Sequence, residues 1–406
     1  MKNGIWLYTL QIFNTIIPFL TIPYITRILG TEQYGAFSLS LNLITYFQVV
    51  VEYGFDLSGS RKVAMAENKD QIRKIYSNII VSKIILCVIT FITMIIILNV
   101  YTGREYDGIY IFALYIIVIG TAFQQTWLFQ GLQQMKYITI LNVISRTVSL
   151  VLIFLFIKSN DDLLLYCIFY SITFLFSGIF SIIVVTKKLK IKFEFPSIKD
   201  IKNELKDGWY IFTTNAMSKL FSAFGITILG IMGTQAEVGI YSALQKIPVV
   251  ILMLYTPIGQ VIYPYISGIY RESFDKGKNI VKKIIIILVT LMTITAIFVI
   301  IFSRQIVYLL FGNQYIDYYV ILIPFSIWII FSVLNNLLGV QILTASGYGK
   351  QYSKSFNISV IFLIIFSIIL GAKFSIYGIA IANVIAEIIL TIILLYYGSK
   401  LKSAIY

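Results

Sequence analysis

The chain has 406 residues, 59% of them hydrophobic and 12% charged, with 32 lysines and arginines against 18 acids for a net charge of +14. Soluble domains carry about 25% charged residues, so no soluble fold could bury this much apolar surface and lipid must be the solvent. Histidine is absent, which excludes imidazole metal sites and Ser–His or Cys–His catalysis.

A membrane-spanning helix takes about 20 mainly apolar residues. Apolar runs between polar or basic breaks predict spans near 4–26, 36–56, 78–100, 109–131, 139–157 and 163–186. A second set follows near 209–232, 240–267, 283–303, 318–345, 355–372 and 377–397. The expected fold class is therefore an all-α membrane protein of about twelve transmembrane helices. Lys2 precedes the first run without a small-residue cleavage site after it, so that span is expected to be retained.

Loop charge gives orientation. Residues 57–77 hold Arg61, Lys62, Lys69, Arg73 and Lys74, and residues 268–283 hold Arg271, Lys276, Lys278, Lys282 and Lys283. Residues 187–208 add Lys187, Lys188, Lys190, Lys192, Lys199, Lys202 and Lys206. The opposite side carries Arg27, Arg104, Lys158, Arg304 and Lys373, one per loop. Cytoplasmic loops are the cation-rich ones, so both termini are expected in the cytoplasm. The positive balance is then an orientation signal and implies no nucleic-acid partner.

The segment 187–208 divides the chain into an N-terminal bundle, 1–186, and a C-terminal bundle, 209–406, of six spans each. Within it Ser197 can cap a helix with Asp200 in the reciprocal position. Ile198, Ile201, Leu205 and Trp209 fall on one side and lysines on the other, the pattern of an interfacial helix or of a solvated linker. An internal repeat supports the division. Leu29-Gly30-Thr31-Glu32-Gln33-Tyr34-Gly35 follows the first span, and Met232-Gly233-Thr234-Gln235-Ala236-Glu237-Val238-Gly239 follows the seventh. Transporters are often built from such repeats, with the substrate site where they meet.

Ionisable groups at bilayer depth cost at least ~2.5 kcal/mol on insertion scales and face a cavity or a partner. Lys219 shares a helical face with Asn215 and Ser222, Arg146 with Asn142 and Ser149, and Glu387 with Asn383 and Thr391. Such stripes line either a wet cavity or a helix contact. Lys246, with Ser242 one turn earlier, lies nearer the outer edge. Lys83, surrounded by Ile79, Leu86 and Cys87 near the inner edge, reads as a snorkelling anchor. Arg146, Lys219 and Lys246 together suit an anionic cargo, since phosphate takes charge-assisted hydrogen bonds and Arg binds it bidentately. Gln124, Gln125, Trp127 and Asn335 suit a sugar path or interhelical hydrogen bonds. Cys87 and Cys167 read as buried thiols. The sequence has no P-loop, metal-ligand cluster or carboxylate pair in an aqueous loop, so no enzyme activity, cofactor or metal is expected.

Several motifs resemble one family. Pro23-Tyr24-Ile25-Thr26-Arg27-Ile28-Leu29-Gly30 with Tyr34-Gly35 is similar to the first outer loop of Wzx-type O-antigen flippases, polysaccharide transporters of the multidrug/oligosaccharidyl-lipid/polysaccharide exporter superfamily. Tyr53-Gly54-Phe55, Ser60-Arg61-Lys62-Val63-Ala64 and Trp127-Leu128-Phe129-Gln130-Gly131-Leu132 resemble their second helix, first cytoplasmic loop and fourth helix. Ala345-Ser346-Gly347 with Lys350 is a weaker likeness after the tenth span. The resemblance implies two six-helix bundles forming a V around a central cavity in the bacterial inner membrane. It implies an undecaprenyl-diphosphate-linked oligosaccharide as cargo, with a polysaccharide polymerase and a chain-length regulator as candidate associates. It leaves open coupling to a proton or sodium ion, with Glu387 the first carboxylate to consider and Glu52 or Asp56 next. For Glu52 and Asp56 the alternative is capping or pairing near a helix end. A multidrug or lipid II exporter of the same superfamily, or a membrane polymerase, are the competing readings.

Overall fold

A computed structural model describes residues 2–100 and 108–400. Arg104 of the predicted outer loops lies outside the described residues, as do the side chains of Lys2 and Arg271. Among the described residues all regular structure is helical. The chain forms two compact units, Met1–Ala223 and Phe224–Tyr406, and the division falls inside one long helix.

The first unit contains α1 (Lys2–Glu52), α2 (Phe55–Ala64), α3 (Lys69–Val100), α4 (Gly108–Phe123), α5 (Thr126–Gly131), α6 (Met135–Phe156), α7 (Leu163–Ile183) and the start of α8 (Ile198–Met232). At about 1.5 Å per residue α1 would be roughly 75 Å long, over twice the ~30 Å hydrocarbon core. It does not run unbroken. Gly30 takes φ 73° and ψ −177°, a conformation open to glycine, between the first and second predicted spans. The fourth predicted span is also interrupted, at Gln124 and Gln125 between α4 and α5.

Close backbone approach holds α4 against α7. A Cβ on Gly120 would lie 2.4 Å from the Phe174 carbonyl carbon, and one on Gly178 2.6 Å from the Gly120 oxygen. Small residues permit such contact where lipid offers no hydrophobic drive between helices.

The predicted loop 57–77 is largely helical, formed by α2 and the first turns of α3. Its polarity marks its solvent, not its backbone. Ser197 does open a helix: the Asp200 N–H donates to Ser197 Oγ at 3.2 Å, and the Ser197 hydroxyl donates to Asp200 Oδ2 at 2.6 Å. That helix does not stop at the linker's end but continues as α8 to Met232. The α8 start is fastened within its own unit. Lys62 pairs with Glu204 at 2.7 Å and Asp207 at 2.8 Å, and the Phe212 ring stacks on Tyr53 at 4.7 Å.

The second unit holds the end of α8, then α9 (Gln235–Leu244), α10 (Lys246–Glu272), α11 (Phe274–Ile301), α12 (Ser303–Phe311), α13 (Leu322–Asn336) and α14 (Gly349–Ser399). A π-helical stretch, Leu337–Thr344, continues α13. Tyr255, Leu288, Met292, Ile329, Val333 and Leu337 form a core between α10, α11 and α13. The 51-residue α14 is broken at Ser375, with φ 47° and ψ −129°, between the last two predicted spans.

The second copy of the internal repeat makes a helix corner. The Thr234 N–H donates to Glu237 Oε2 at 2.9 Å and the Glu237 N–H to Thr234 Oγ1 at 3.2 Å, a capping box that starts α9. Glu237 Oε1 also accepts from the Ser375 hydroxyl, tying that corner to the break in α14. In the first unit the corresponding Gly30 is the break itself.

Gly120→Ala should force α4 away from α7 and lower stability by about 1–3 kcal/mol, read as a lower thermal midpoint in detergent. Gly108→Ala, where the nearest atom is 4.0 Å away, should change it by less than about 0.5 kcal/mol.

Candidate functional site: buried charges and helix breaks

The first unit gathers four charges. Lys83 of α3 is 2% exposed, which overturns its reading as a snorkelling anchor: the ammonium turns inward instead of reaching an aqueous edge. Its Nζ lies 3.5 Å from the carbonyl oxygens of both Thr121 and Gln124, at the end of α4. The charges of Glu52 and Asp56 act on it. Gln48 links Glu52 to the same helix end, donating to Glu52 Oε1 at 3.5 Å and to Thr121 Oγ1 at 3.2 Å. Lys219 of α8 is half-buried and also acts on Glu52. Asn215 and Ser222 beside it are exposed, and the Ser222 hydroxyl donates to the Lys219 carbonyl at 3.0 Å. Glu52 thus lies within electrostatic reach of both lysines, and the positive excess expected here is correspondingly smaller.

Among the described residues Arg146 of α6 makes no ion pair. It is half-buried beside Tyr170, and its Nε is buried without a hydrogen-bond partner. Tyr170 belongs to an aromatic group in which the Phe37 ring lies 4.6 Å from that of Tyr166 and 5.4 Å from that of Tyr170. The rest of the Arg146 stripe is satisfied internally. Asn142 donates to its own helix at Ile138, 2.9 Å away, and Ser149 donates across to the Phe169 carbonyl of α7 at 2.8 Å. Ser149 therefore makes a helix contact.

Gln125 and Trp127 are both 0% exposed. Gln125 Nε2 donates to the Phe123 carbonyl at 2.9 Å, closing the gap between α4 and α5. The Trp127 ring packs so tightly on Gly59 that a Cβ there would sit 2.8 Å away. A fully enclosed ring cannot touch a sugar, so of the two readings offered for Trp127, sugar path or contact between helices, its burial in this conformation favours the second. Gln124 is half-buried, and its carbonyl is one of the two that face Lys83.

At the end of α2 a cleft of about 870 Å³ is lined by Ser60, Arg61, Lys62, Gln130, Gln133 and Asp207, among others. Lys62 is committed to its two acids, while Arg61 is exposed.

In the second unit Glu387 of α14 is 5% exposed and surrounded by donors. Asn335 Nδ2 donates to its Oε2 at 2.6 Å and to its backbone carbonyl at 2.8 Å, and Trp328 Nε1 donates to Oε1 at 3.1 Å. Ser332 is a further hydrogen-bond partner. Thr391 Oγ1 donates to Asn335 Oδ1 at 2.7 Å, fixing the amide's orientation. Asn383 sits a turn away and donates to the Tyr241 hydroxyl at 2.8 Å. Lys246, half-buried, opens α10. Among the described residues Glu387 has no direct ion pair and no three metal-ligating side chains cluster.

Sequence reasoning missed Lys83, Gln48, Thr121 and Trp328. Lys83 lacks polar neighbours on its own helix, so its partners became visible only across helices. Trp328, Ser332 and Asn335 do share one face at helical spacing, a signal present in the sequence.

The polysaccharide biosynthesis protein family matches residues 1–270, two thirds of the chain. The chain belongs to this family. It is 27% identical, over 98% of its own length and 96% of the relative's, to an Escherichia coli K12 protein named as an O-antigen transporter. A Shigella dysenteriae protein of the same name is 29% identical over 69% of this chain and 70% of that protein. A Haloferax volcanii protein named as a low-salt glycan biosynthesis flippase is 25% identical over 99% and 84%. These relatives are named as transporters and flippases, not as enzymes. The fold is that of the inward-closed lipid II flippase MurJ, with TM-score 0.75, 17% identity and coverage of 98% of this chain and 87% of that one. An inward-facing multidrug exporter gives 0.72 at 16% identity, covering 95% and 97%. The chain is a multi-pass membrane protein, helical throughout its described residues, with ten helices among them long and apolar enough to cross a bilayer when α1 and α14 are each counted once.

Asn335→Leu should leave the Glu387 carboxylate short of donors and lower stability by roughly 2–3 kcal/mol. Adding Glu387→Met should recover most of that loss, because the buried charge goes with it; thermal unfolding of the two variants checks this.

Proposed function

We propose that this protein is a flippase that carries an undecaprenyl-diphosphate-linked oligosaccharide from the cytoplasmic to the periplasmic leaflet of the bacterial inner membrane. The observation that carries the reading is the chain-long similarity to a protein named for O-antigen transport. In this proposal α1 and α14 each cross twice, at the Gly30 and Ser375 breaks, giving twelve spans with both termini cytoplasmic. The cargo path opens alternately to either side of the membrane.

The diphosphate is held by Arg146 and Lys219, with Lys246 nearer the outer side. Arg146 is half-buried and makes no ion pair among the described residues, and charge-assisted bonds to phosphate are the strong kind. Asn142, Asn215 and Gln124 border the sugar path. Glu387 is the carboxylate proposed to couple transport to a proton or sodium gradient, because it is buried among neutral donors and makes no ion pair among the described residues. Glu52 and Asp56 instead balance Lys83. A polysaccharide polymerase and a chain-length regulator are the proposed associates.

The test is a strain lacking this protein, assayed for surface polysaccharide. Lipid-linked repeat units should accumulate on the cytoplasmic face and reach the outer face when the protein is restored. Arg146→Ala and Lys219→Ala should each cut surface polysaccharide at least ~10-fold, the equivalent of about 1.4 kcal/mol, with membrane levels unchanged. Full transport by both would make them packing residues. Glu387→Gln should retain binding of the lipid-linked cargo while losing the response of transport to an imposed ion gradient.

A further inference from the structure

Lys83 is an anomaly of placement. A lysine is almost never fully buried unless paired, and burial among apolar helices opposes the charged form unless fixed negative potential answers it. Here the answer comes from three directions. At the break the Gln124 N–H is shared between the Gly120 oxygen at 3.0 Å and the Thr121 oxygen at 3.3 Å, so the backbone ladder thins at the end of α4 and its last carbonyls keep capacity to accept. Gln125 Nε2 takes the Phe123 oxygen, and Lys83 Nζ faces those of Thr121 and Gln124. The helix end itself carries about half a negative charge. Glu52 and Asp56 add two carboxylates, with Gln48 joining Glu52 to Thr121 Oγ1. Lys219 also acts on Glu52 and takes part of its charge.

Remove the lysine head and what remains is an oxygen set: two backbone carbonyls at an interrupted membrane helix, a hydroxyl nearby and two carboxylates in electrostatic reach. Unwound carbonyls and half-helix C-termini are the groups with which membrane transporters hold alkali cations. We infer that the Lys83 ammonium is a tethered stand-in for a monovalent cation, filling a cation position built from the end of α4 and the Glu52–Asp56 pair. The first unit thereby has a permanently occupied position and needs no dissolved ion there. Lys83 is a positioning residue: it holds the end of α4 to the Gln124 link that leads into α5, the helix against which α2 packs. The inference concerns binding and stability, and holds or fails independently of the cargo proposed above.

The experiment is thermal unfolding of the purified full chain in about 0.15 M sodium, potassium or N-methylglucamine chloride. Wild type should show a small and similar midpoint in all three. Lys83→Ala should unfold earlier in N-methylglucamine and recover by at least ~2 °C more than wild type does in sodium or potassium, since a ligand bound only by the folded state stabilises it. Lys83→Arg keeps a fixed charge and should gain no cation response beyond wild type's. A merely structural lysine would give the same loss in every salt, and that result overturns the inference. Failure of Lys83→Ala to accumulate as folded protein in cells overturns it too, because cellular potassium should fill the vacated position.

Discussion

A charge buried among apolar helices has to be compensated by protein, because lipid supplies neither donors nor counter-ions. Lys83 and Glu387 show two ways of doing so. The lysine is held by carbonyls at a helix end, with the charges of Glu52 and Asp56 acting on it; the glutamate is held by an amide, an indole and a hydroxyl, with no cation paired to it among the described residues. Each arrangement requires a departure from regular helix. α4 stops at Phe123, beside the Thr121 and Gln124 carbonyls that Lys83 faces. Asn335 lies just before the π-helical stretch Leu337–Thr344, and such stretches gather at functional sites.

The breaks and the charges therefore form one design. Unbroken helices would satisfy every backbone group internally and leave nothing for a buried ammonium to contact. The corner at Thr234 works by the same logic on a smaller scale, with Glu237 capping α9 and accepting from Ser375, where α14 changes direction. Glycine supplies the complementary element, letting α4 and α7 touch backbone to backbone. Irregular backbone then survives at membrane depth because protein encloses it.

Much of this was legible in the sequence, and the reasons differ by element. Spans follow from apolar length, so the predicted 139–157 and 163–186 reappear as α6 and α7. The Ser197–Asp200 cap depends on local geometry and was readable. The repeat around Gly30 and Gly233 marked helix corners because turn chemistry is local as well. Polarity misled at 57–77, where a charged segment is still mostly helix. The Glu387 stripe with Asn383 and Thr391 was visible on one helix, but Trp328 and Asn335 reach it from another. Lys83 was misread for the same reason: depth along a helix says nothing about which neighbouring helix ends beside it.

The central claim is that this chain moves a glycan-bearing polyprenyl diphosphate between leaflets. The most direct measurement reconstitutes the purified protein in liposomes carrying labelled undecaprenyl-diphosphate oligosaccharide and probes the sugar with a membrane-impermeant oxidant. Transbilayer movement predicts that nearly all of the label becomes accessible in liposomes containing the protein, while empty liposomes expose only the outer leaflet's share. Equal accessibility in both, or new glycosidic bonds formed on the lipid, would contradict the account.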